Sequence, residues 1–400
     1  MIRKFEVENF MSLKDVSVDL GPLTVFIGPN GSGKSALFKA MVTLSRLLNG
    51  TRVRGQKAEF GMESGVTFDR IVYSGNSDLP IKFRVWFDDD GEEPGYSLEL
   101  KKGAEGWSVV RERIRNGENW IEVDEGHPFE HPTENGTPVV HTPPMRGSLT
   151  YLVKRFVNDS VARPVIEPVL RLTKRFGFVH RYRPSASDIA SVASRPTEPE
   201  RNIYVAENGR GVAVELQDLQ GSNREVFEAI ERAVCKLFPH IKTIGFTTDW
   251  RGVRLSFKTD RSGDLLPAPQ ESDGVLLATF LFWRLYTTNP SMKLCLEEPE
   301  NGLHPFLLAD RFQALKNFAN GNVGLPGVQL LVATHSPEFL RAVKAHPQAL
   351  WNEIRLVEFA PGVGTSVKRL KNYPEAAHLI EDYLTQVQER WKPIIEGWGK

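Results

Sequence analysis

Residues 23–35 read Leu-Thr-Val-Phe-Ile-Gly-Pro-Asn-Gly-Ser-Gly-Lys-Ser, and this stretch decides the fold. Its first five residues are a compact, mostly apolar run, which is typical of a buried strand. Residues 28–35 fit the pattern G-x-x-x-x-G-K-[ST], and apolar residues then recur at helical spacing up to Leu48. A strand, a glycine-rich loop and a helix in this order predict a phosphate-binding loop, or P-loop.

The residue types in the loop explain its chemistry. Its glycines let backbone N–H groups curl around a phosphate, and the helix that follows points its positive N-terminus at the same anion. Lys34 reaches the β- and γ-phosphates, and the Ser35 hydroxyl is a ligand for Mg²⁺. The sequence therefore predicts nucleotide binding, with Ser35 as a Mg²⁺ ligand, by Gly28, Pro29, Asn30, Gly31, Ser32, Gly33, Lys34 and Ser35.

A P-loop needs a carboxylate at the end of a neighbouring strand to hold Mg²⁺. The candidates are Glu297 and Glu298, which end the apolar run Leu-Cys-Leu and precede Pro-Glu-Asn-Gly-Leu-His-Pro at 299–305. Successive residues of a strand point to opposite sides, so one carboxylate serves the metal while the other addresses a water. The alternative is a solvated acidic loop, since Pro-Glu-Asn-Gly is good turn chemistry.

Composition excludes several classes of protein. Fifty basic and 50 acidic residues give a net charge of zero, which excludes a polycation that coats nucleic acid. Two isolated cysteines favour a reducing compartment over a disulfide framework. The longest apolar run, residues 274–283, is too short to span a bilayer, and the N-terminus has no apolar signal segment. We expect a soluble cytoplasmic protein with no membrane contact.

Three histidines, His127, His131 and His141, lie in a segment rich in proline. Pro128 and Pro132 prevent a helix from presenting the first two on one face, so a polar loop is favoured over a metal site.

Periodicity and turn residues predict the order of elements along the chain. We expect antiparallel strands within 66–123, a loop over 124–148, helices over 149–176 and 223–238, a mobile link over 183–202 and a hairpin over 241–259. Further along, we expect helices over 275–286, over 305–319 and at the C-terminus, and strands ending at Glu297 and His335. The chain then divides into 1–148 with the P-loop and an antiparallel lobe, 149–202 with a basic helical arm and the link, and 203–400 with the remaining motifs.

Three motifs in this order carry a family resemblance: Glu8-Asn9-Phe10 before the P-loop, Glu297-Glu298 with the segment 299–305, and Ala333-Thr334-His335-Ser336-Pro337. The chain resembles the ABC-type ATPases of the SMC/RecF/OLD group, and within it the compact prokaryotic AAA family ATPases of DNA repair and anti-phage defence. The resemblance implies an α/β P-loop NTPase, an ABC-type ATPase head, with an attached antiparallel β-lobe and a helical arm insertion.

The resemblance also implies roles for single residues. Two heads of a homodimer, or of a higher oligomer, sandwich ATP head-to-tail, and the signature segment of one head meets the nucleotide of the other. Glu297 is the carboxylate on the Mg²⁺ side, Glu298 polarises the attacking water, and His335 senses the γ-phosphate. Ser272 and Gly274 form the signature segment, although the residues alone favour a plain helix N-cap. Asn301 and His304 belong to a loop that crosses the dimer interface.

Residues 146–183 hold nine basic residues against Asp159 and Glu167. This arm is either a DNA-phosphate contact or a solvated helix. Three uses of the ATPase compete: a DNA-dependent repair ATPase, a regulatory scaffold that restrains a separate effector such as a toxin or nuclease, and, least favoured, a transporter subunit. About 60 residues follow His335 and hold no acidic cluster, so we expect any nuclease activity on another chain.

Overall fold

The computed structural model describes residues 1–49, 67–103, 106–117, 119–124, 129–132, 138–141, 163–194, 205–261, 263–289, 291–300, 315–321, 328–336, 351–369, 378, 381, 382 and 385. Two compact units are formed from interleaved segments of the chain. The first unit comprises Met1–Val179, Ser291–Lys293 and Glu353–Leu370, and the second comprises His180–Pro290, Leu294–Asn352 and Lys371–Lys400. The three consecutive segments inferred from the sequence remain a prediction.

The strands of the described residues are β1 (Ile2–Phe10), β2 (Leu13–Asp19), β3 (Leu23–Ile27), β4 (Ile81–Phe87), β5 (Tyr96–Gly103), β6 (Gly106–Asn116), β7 (Asn119–Asp124), β8 (Phe129–Pro132), β9 (Pro138–His141), β10 (Val179–Tyr182), β11 (Ile241–Asp249), β12 (Gly252–Thr259), β13 (Leu265–Pro267), β14 (Lys293–Glu297), β15 (Gln329–Thr334), β16 (Ile354–Ala360) and β17 (Gly364–Arg369). The α-helices are α1 (Lys34–Asn49), α2 (Phe68–Ile71), α3 (Arg163–Phe176), α4 (Ala186–Ile189), α5 (Val212–Ser222), α6 (Arg224–Leu237) and α7 (Asp273–Tyr286). Short 3-10 helices occupy Tyr73–Gly75, Ala268–Gln270 and Trp351–Glu353, and residues 315–319 are helical.

The first unit contains the predicted antiparallel lobe. Its six strands lie in the order β2-β1-β4-β5-β6-β7, and every neighbouring pair is antiparallel. Phe5 and Val7 of β1, and Ile81, Phe83 and Val85 of β4, are buried at every second position, which is the period of an antiparallel sheet with one solvated face. Phe5, Phe10 and Phe83 form aromatic contacts within this buried layer.

The same unit holds the strand that leads into the P-loop. In it β3 pairs in parallel with β16, and β16 pairs antiparallel with β17. All five residues of β3 are buried, and twelve residues of α1 are buried as well. The apolar periodicity that predicted α1 reflects this burial.

The second unit holds the strands that end in the candidate carboxylates. In it β10, β14 and β15 lie side by side in that order, and β11, β12 and β13 form a separate antiparallel sheet. Helix α7 is buried over most of its length. The predicted helix over 223–238 and the hairpin over 241–259 are confirmed as α6 and β11–β12.

One prediction from composition is wrong. Within 124–148, predicted as a loop, β8 and β9 pair as a hairpin in which Pro132 is opposite Pro138 beside the connection, where a missing N–H is tolerated. Within 183–202, predicted as a mobile link, residues 186–189 form α4 and Ala193 bridges to Val253. The side chain of Ile189 is buried. The mobility of this segment remains a prediction.

Two absences concern only the residues that the structure describes. None of their helices is long and apolar enough to cross a membrane. No group of three or more His, Cys, Asp or Glu side chains among them is arranged to hold a metal ion. The side chains of the three histidines in the proline-rich segment lie outside the described part.

Candidate functional site

The P-loop leaves a fully buried strand of the first unit and enters α1. Strand β3 ends at Ile27, and α1 begins at Lys34. At Gly28 an added Cβ would lie 2.0 Å from the carbonyl oxygen of Val357, on the neighbouring strand β16. A larger residue therefore does not fit where the loop leaves β3.

Two further glycines give the loop its curvature. The φ angles of Gly31 and Gly33 are 80° and 105°, in the left-handed region that favours glycine. At Gly33 a Cβ would lie 2.1 Å from Oγ1 of Thr365, whereas the described residues leave open space around Gly31. Gly33 is thus required by conformation and by space, and the curved backbone suits an anion.

The ammonium of Lys34 lies within the loop. The residue is 9% exposed, and Nζ donates to the carbonyl oxygens of Gly28 at 2.7 Å and Pro29 at 2.9 Å. Ser35, in the first turn of α1, is exposed. The glycine curve, the cation and the exposed hydroxyl fit a nucleoside triphosphate, and hydroxyl and carboxylate oxygens are the donors that Mg²⁺ prefers.

A support for the loop comes from Thr365 on β17, which the sequence analysis missed. Thr365 is 3% exposed, and its hydroxyl donates to the carbonyl oxygen of Ser32 at 3.0 Å. Oγ1 of Thr365 also lies 3.0 Å from Oγ of Ser12. In addition, the backbone N–H of Thr365 donates to the carbonyl oxygen of Ser12. Thr365 therefore ties the P-loop to the turn between β1 and β2. Apolar alternation over 354–360 followed by Pro361-Gly362 was the available hairpin signal.

Thr365→Val is expected to weaken both folding and ATP binding. Valine keeps the shape but leaves the Ser32 carbonyl and the Ser12 hydroxyl without this partner, which costs about 1–3 kcal/mol in a buried setting. Urea unfolding and calorimetric titration of Mg·ATP measure the two losses. Thr365→Ser, which keeps the hydroxyl, is the control; if it loses as much as the valine variant, the hydroxyl is not what supports the loop.

The first candidate carboxylate ends the buried strand β14 of the second unit. All five residues of β14 are buried, and Glu297 is 5% exposed. Nε of Arg181, on the neighbouring strand β10, lies 3.7 Å from Oε1 of Glu297, and the same guanidinium pairs with Glu207 at 2.7 Å. Glu297 thus places a carboxylate at the end of β14, and carboxylate oxygens are ligands that Mg²⁺ prefers.

The second carboxylate departs from strand geometry. Glu298 has φ of 51°, a left-handed conformation that is rare outside glycine, and its N–H donates to Ala333 on β15. The alternation expected of successive strand residues therefore stops here. Nη2 of Arg183 lies 3.2 Å from both carboxylate oxygens, and Nδ1 of His335 lies 3.5 Å from Oε1. The structure brings together the predicted water-polarising residue and the predicted γ-phosphate sensor.

The predicted signature segment begins a helix of the second unit. Ser272 precedes the first residue of α7, is exposed, and its side chain makes no capping hydrogen bond. Gly274 is buried in the first turn. Ser272 therefore precedes the first-turn N–H groups of α7, which favour anions.

The predicted site residues are divided between the units. The P-loop belongs to the first, and Ser272, Glu297, Glu298 and His335 belong to the second. Asn301 and His304, predicted to cross a dimer interface, lie outside the described residues.

Three arginines of the predicted basic arm have carboxylate partners. Arg175 pairs with Asp89, Arg181 with Glu207, and Arg183 with Glu298. The basic composition of residues 146–183 assigns Arg181 and Arg183 to a DNA-contacting or solvated arm. It does not reveal that they lie beside the candidate carboxylates. No local pattern in the sequence reveals pairing between strands more than 100 residues apart.

Two models of known protein families match consecutive parts of the chain. The model described as "AAA ATPase domain" matches residues 1–142, and the one described as "AAA domain, putative AbiEii toxin, Type IV TA system" matches residues 144–341. A protein described as OLD nuclease, from Thermus scotoductus, is 44% identical over 119 residues. Both models are of AAA domains and together they match most of the chain, which belongs to the AAA family ATPases. Its fold is the α/β P-loop NTPase fold with an antiparallel sheet.

The similar proteins differ in how much of their length matches this chain. The match to the OLD nuclease covers 28% of this AAA family chain and only 22% of that protein. An Smc head bound to the C-winged helix domain of ScpA is 14% identical with a TM-score of 0.49, covering 92% of this chain and 97% of that chain. The SMC head domain from Thermotoga maritima is 14% identical with a TM-score of 0.42, covering 93% of this chain and 99% of that chain.

Proposed function

We propose that the chain binds ATP at its P-loop and hydrolyses it with Mg²⁺. The observation that carries hydrolysis is the contact of Glu298 with His335, at 3.5 Å, at the ends of the buried strands β14 and β15. A carboxylate next to a histidine at the ends of adjacent strands is suited to accept a proton from water and to report on a phosphate. The family membership supports the same chemistry.

Each residue then has a defined task. Lys34 holds the β- and γ-phosphates by charge-assisted hydrogen bonds. Ser35 and Glu297 would hold Mg²⁺, which would supply positive charge to offset the charge that develops on the phosphate. Glu298 orients the attacking water and accepts its proton, and His335 contacts the γ-phosphate.

We further propose that two chains assemble around two ATP molecules, each offering its signature segment to the other. The exposed Ser272 hydroxyl, which does not cap its own helix, supports this role. ATP binding would close the assembly and hydrolysis would open it. The chain therefore acts as a switch whose two states differ in assembly.

Ser272→Arg is expected to leave ATP binding to the single chain intact while it abolishes assembly. A bulky cation at the start of α7 would block the partner's nucleotide, so turnover should fall by at least about 100-fold, the scale of a lost transition-state contact. Light scattering with Mg·ATP measures assembly, and calorimetry measures binding. Ser222→Arg, at an exposed serine that ends α5, is the matched control.

Equal losses of binding and turnover in Ser272→Arg would mean that Ser272 acts on the nucleotide of its own chain. A wild-type protein whose mass does not change with Mg·ATP would contradict assembly itself.

A separate effector is the favoured partner of this switch. Pairing of Arg175, Arg181 and Arg183 with carboxylates removes three of the nine cations on which DNA contact by residues 146–183 rested. The likeness to an OLD nuclease and to a family whose description names a toxin supports a use in anti-phage defence or DNA repair. We propose a cytoplasmic ATPase that restrains or releases a nuclease or toxin carried on another chain, with DNA contact as the second candidate.

A further inference from the structure

Two arginines at the end of strand β10 lie beside the candidate carboxylates. Arg181 is on β10, and Arg183 follows Tyr182, the last residue of that strand. Arg181 lies near Glu297 and Arg183 contacts Glu298, so the end of β10 supplies one cation to each of the two consecutive carboxylates.

The contact of Arg183 with Glu298 is symmetric. Nη2 lies 3.2 Å from Oε1 and 3.2 Å from Oε2, so the guanidinium sits in front of the whole carboxylate. The N–H of Arg183 donates to the carbonyl oxygen of Glu207 at 2.9 Å, which fixes the base of the side chain. His335 approaches Oε1 from the end of β15. The Glu298 carboxylate thus lies beside the Arg183 guanidinium and the His335 imidazole, which follow the ends of β10 and β15.

The backbone of Glu298 shows why such a hold is needed. Its φ of 51° is unfavourable for a residue with a Cβ. A hydrogen bond from its N–H to the carbonyl oxygen of Ala333, at 2.8 Å, holds the backbone in this conformation. This backbone bond does not reach the carboxylate, which the guanidinium of Arg183 contacts directly.

We infer that Arg183 is a positioning residue for Glu298: it orients the carboxylate that addresses the attacking water. This inference rests on the proposed function. Arginine suits the task because its guanidinium stays charged, and here Nη2 lies within hydrogen-bond distance of both carboxylate oxygens.

The exposure of Arg183 makes the role testable. Its side chain is 62% exposed, and an ion pair of that kind contributes little to folding. Arg183→Ala should therefore fold like the wild type. A loss of turnover in this variant then reports on the orientation of Glu298 and not on stability.

Arg183→Ala is expected to lower kcat by roughly 10- to 100-fold, the scale of a misplaced reacting group, with an unchanged KM for ATP. Arg183→Lys should recover part of the loss. Calorimetric affinity for Mg·ATP and ATP-dependent assembly should stay at wild-type values. Arg224→Ala, at an exposed arginine that pairs with Glu228, is the matched control and should turn over normally.

The deciding measurement is a double-mutant comparison by single-turnover phosphate release. If Arg183 acts through Glu298, then adding Arg183→Ala to Glu298→Gln slows the reaction no further. A further slowing equal to that in the wild-type background would overturn the inference, as would unchanged kcat in Arg183→Ala.

Lys34→Ala separates this inference from the proposed function. If Lys34→Ala is inactive while Arg183→Ala matches the wild type, only the role of Arg183 is wrong. If Lys34→Ala turns over ATP like the wild type, or the wild type does not turn it over, the proposed function is wrong and the role of Arg183 fails with it.

Discussion

Glu298→Gln is expected to slow ATP turnover by roughly 10²- to 10⁴-fold, the usual contribution of a positioned base. Glutamine keeps the shape of glutamate and still offers one oxygen to Arg183, but it lacks the charge that polarises water. Lys34, Ser35 and Glu297 are untouched, so ATP and Mg²⁺ should bind as before. The change therefore isolates the chemical step.

The same variant should accumulate the ATP-bound assembly, because hydrolysis is what opens it. Size-exclusion chromatography with light scattering should show at least a dimer in Mg·ATP and a smaller species without nucleotide. Near-normal turnover would mean that Glu298 is not the base, and that its contact with His335 serves another purpose.

Lys34→Ala should abolish productive ATP binding. The ammonium is 9% exposed and already lies within the P-loop, bonded to the carbonyl oxygens of Gly28 and Pro29. Hydrogen bonds to charged groups contribute about 1.5–3 kcal/mol each, so losing the phosphate contacts should weaken affinity by at least about 10- to 100-fold.

Calorimetric titration of Mg·ATP measures this loss directly. Lys39→Ala, at an exposed lysine of the same helix, removes a charge outside the loop and should bind ATP normally. Unchanged affinity in Lys34→Ala would refute the assignment of the P-loop.

The parts of the site that the sequence predicted are those whose chemistry is local. Gly28, Gly33 and Lys34 lie within one short loop, where spacing alone encodes the curve and the cation. The strand before Glu297 and the strand before His335 were predicted because unbroken apolar runs ended in polar residues. Each of these features needs only a few consecutive residues.

The parts that the sequence did not predict depend on pairing across long distances. Thr365 meets Ser32 from a strand more than 300 residues away, and Arg183 meets Glu298 across 115 residues. Local composition instead assigned Arg183 to a basic arm and a mobile link. The left-handed backbone of Glu298 was also unforeseen, because glycine is the usual residue there.

Steady-state phosphate release from ATP, measured with Mg²⁺ and again with a chelator, tests the central claim most directly. We expect the wild-type chain to release phosphate only with Mg²⁺. Lys34→Ala should release none, because it does not bind ATP. Glu298→Gln should bind ATP but release phosphate at least 100-fold more slowly, because it lacks the contribution of a positioned base. Equal rates in all three proteins, or no release by the wild type, would contradict it.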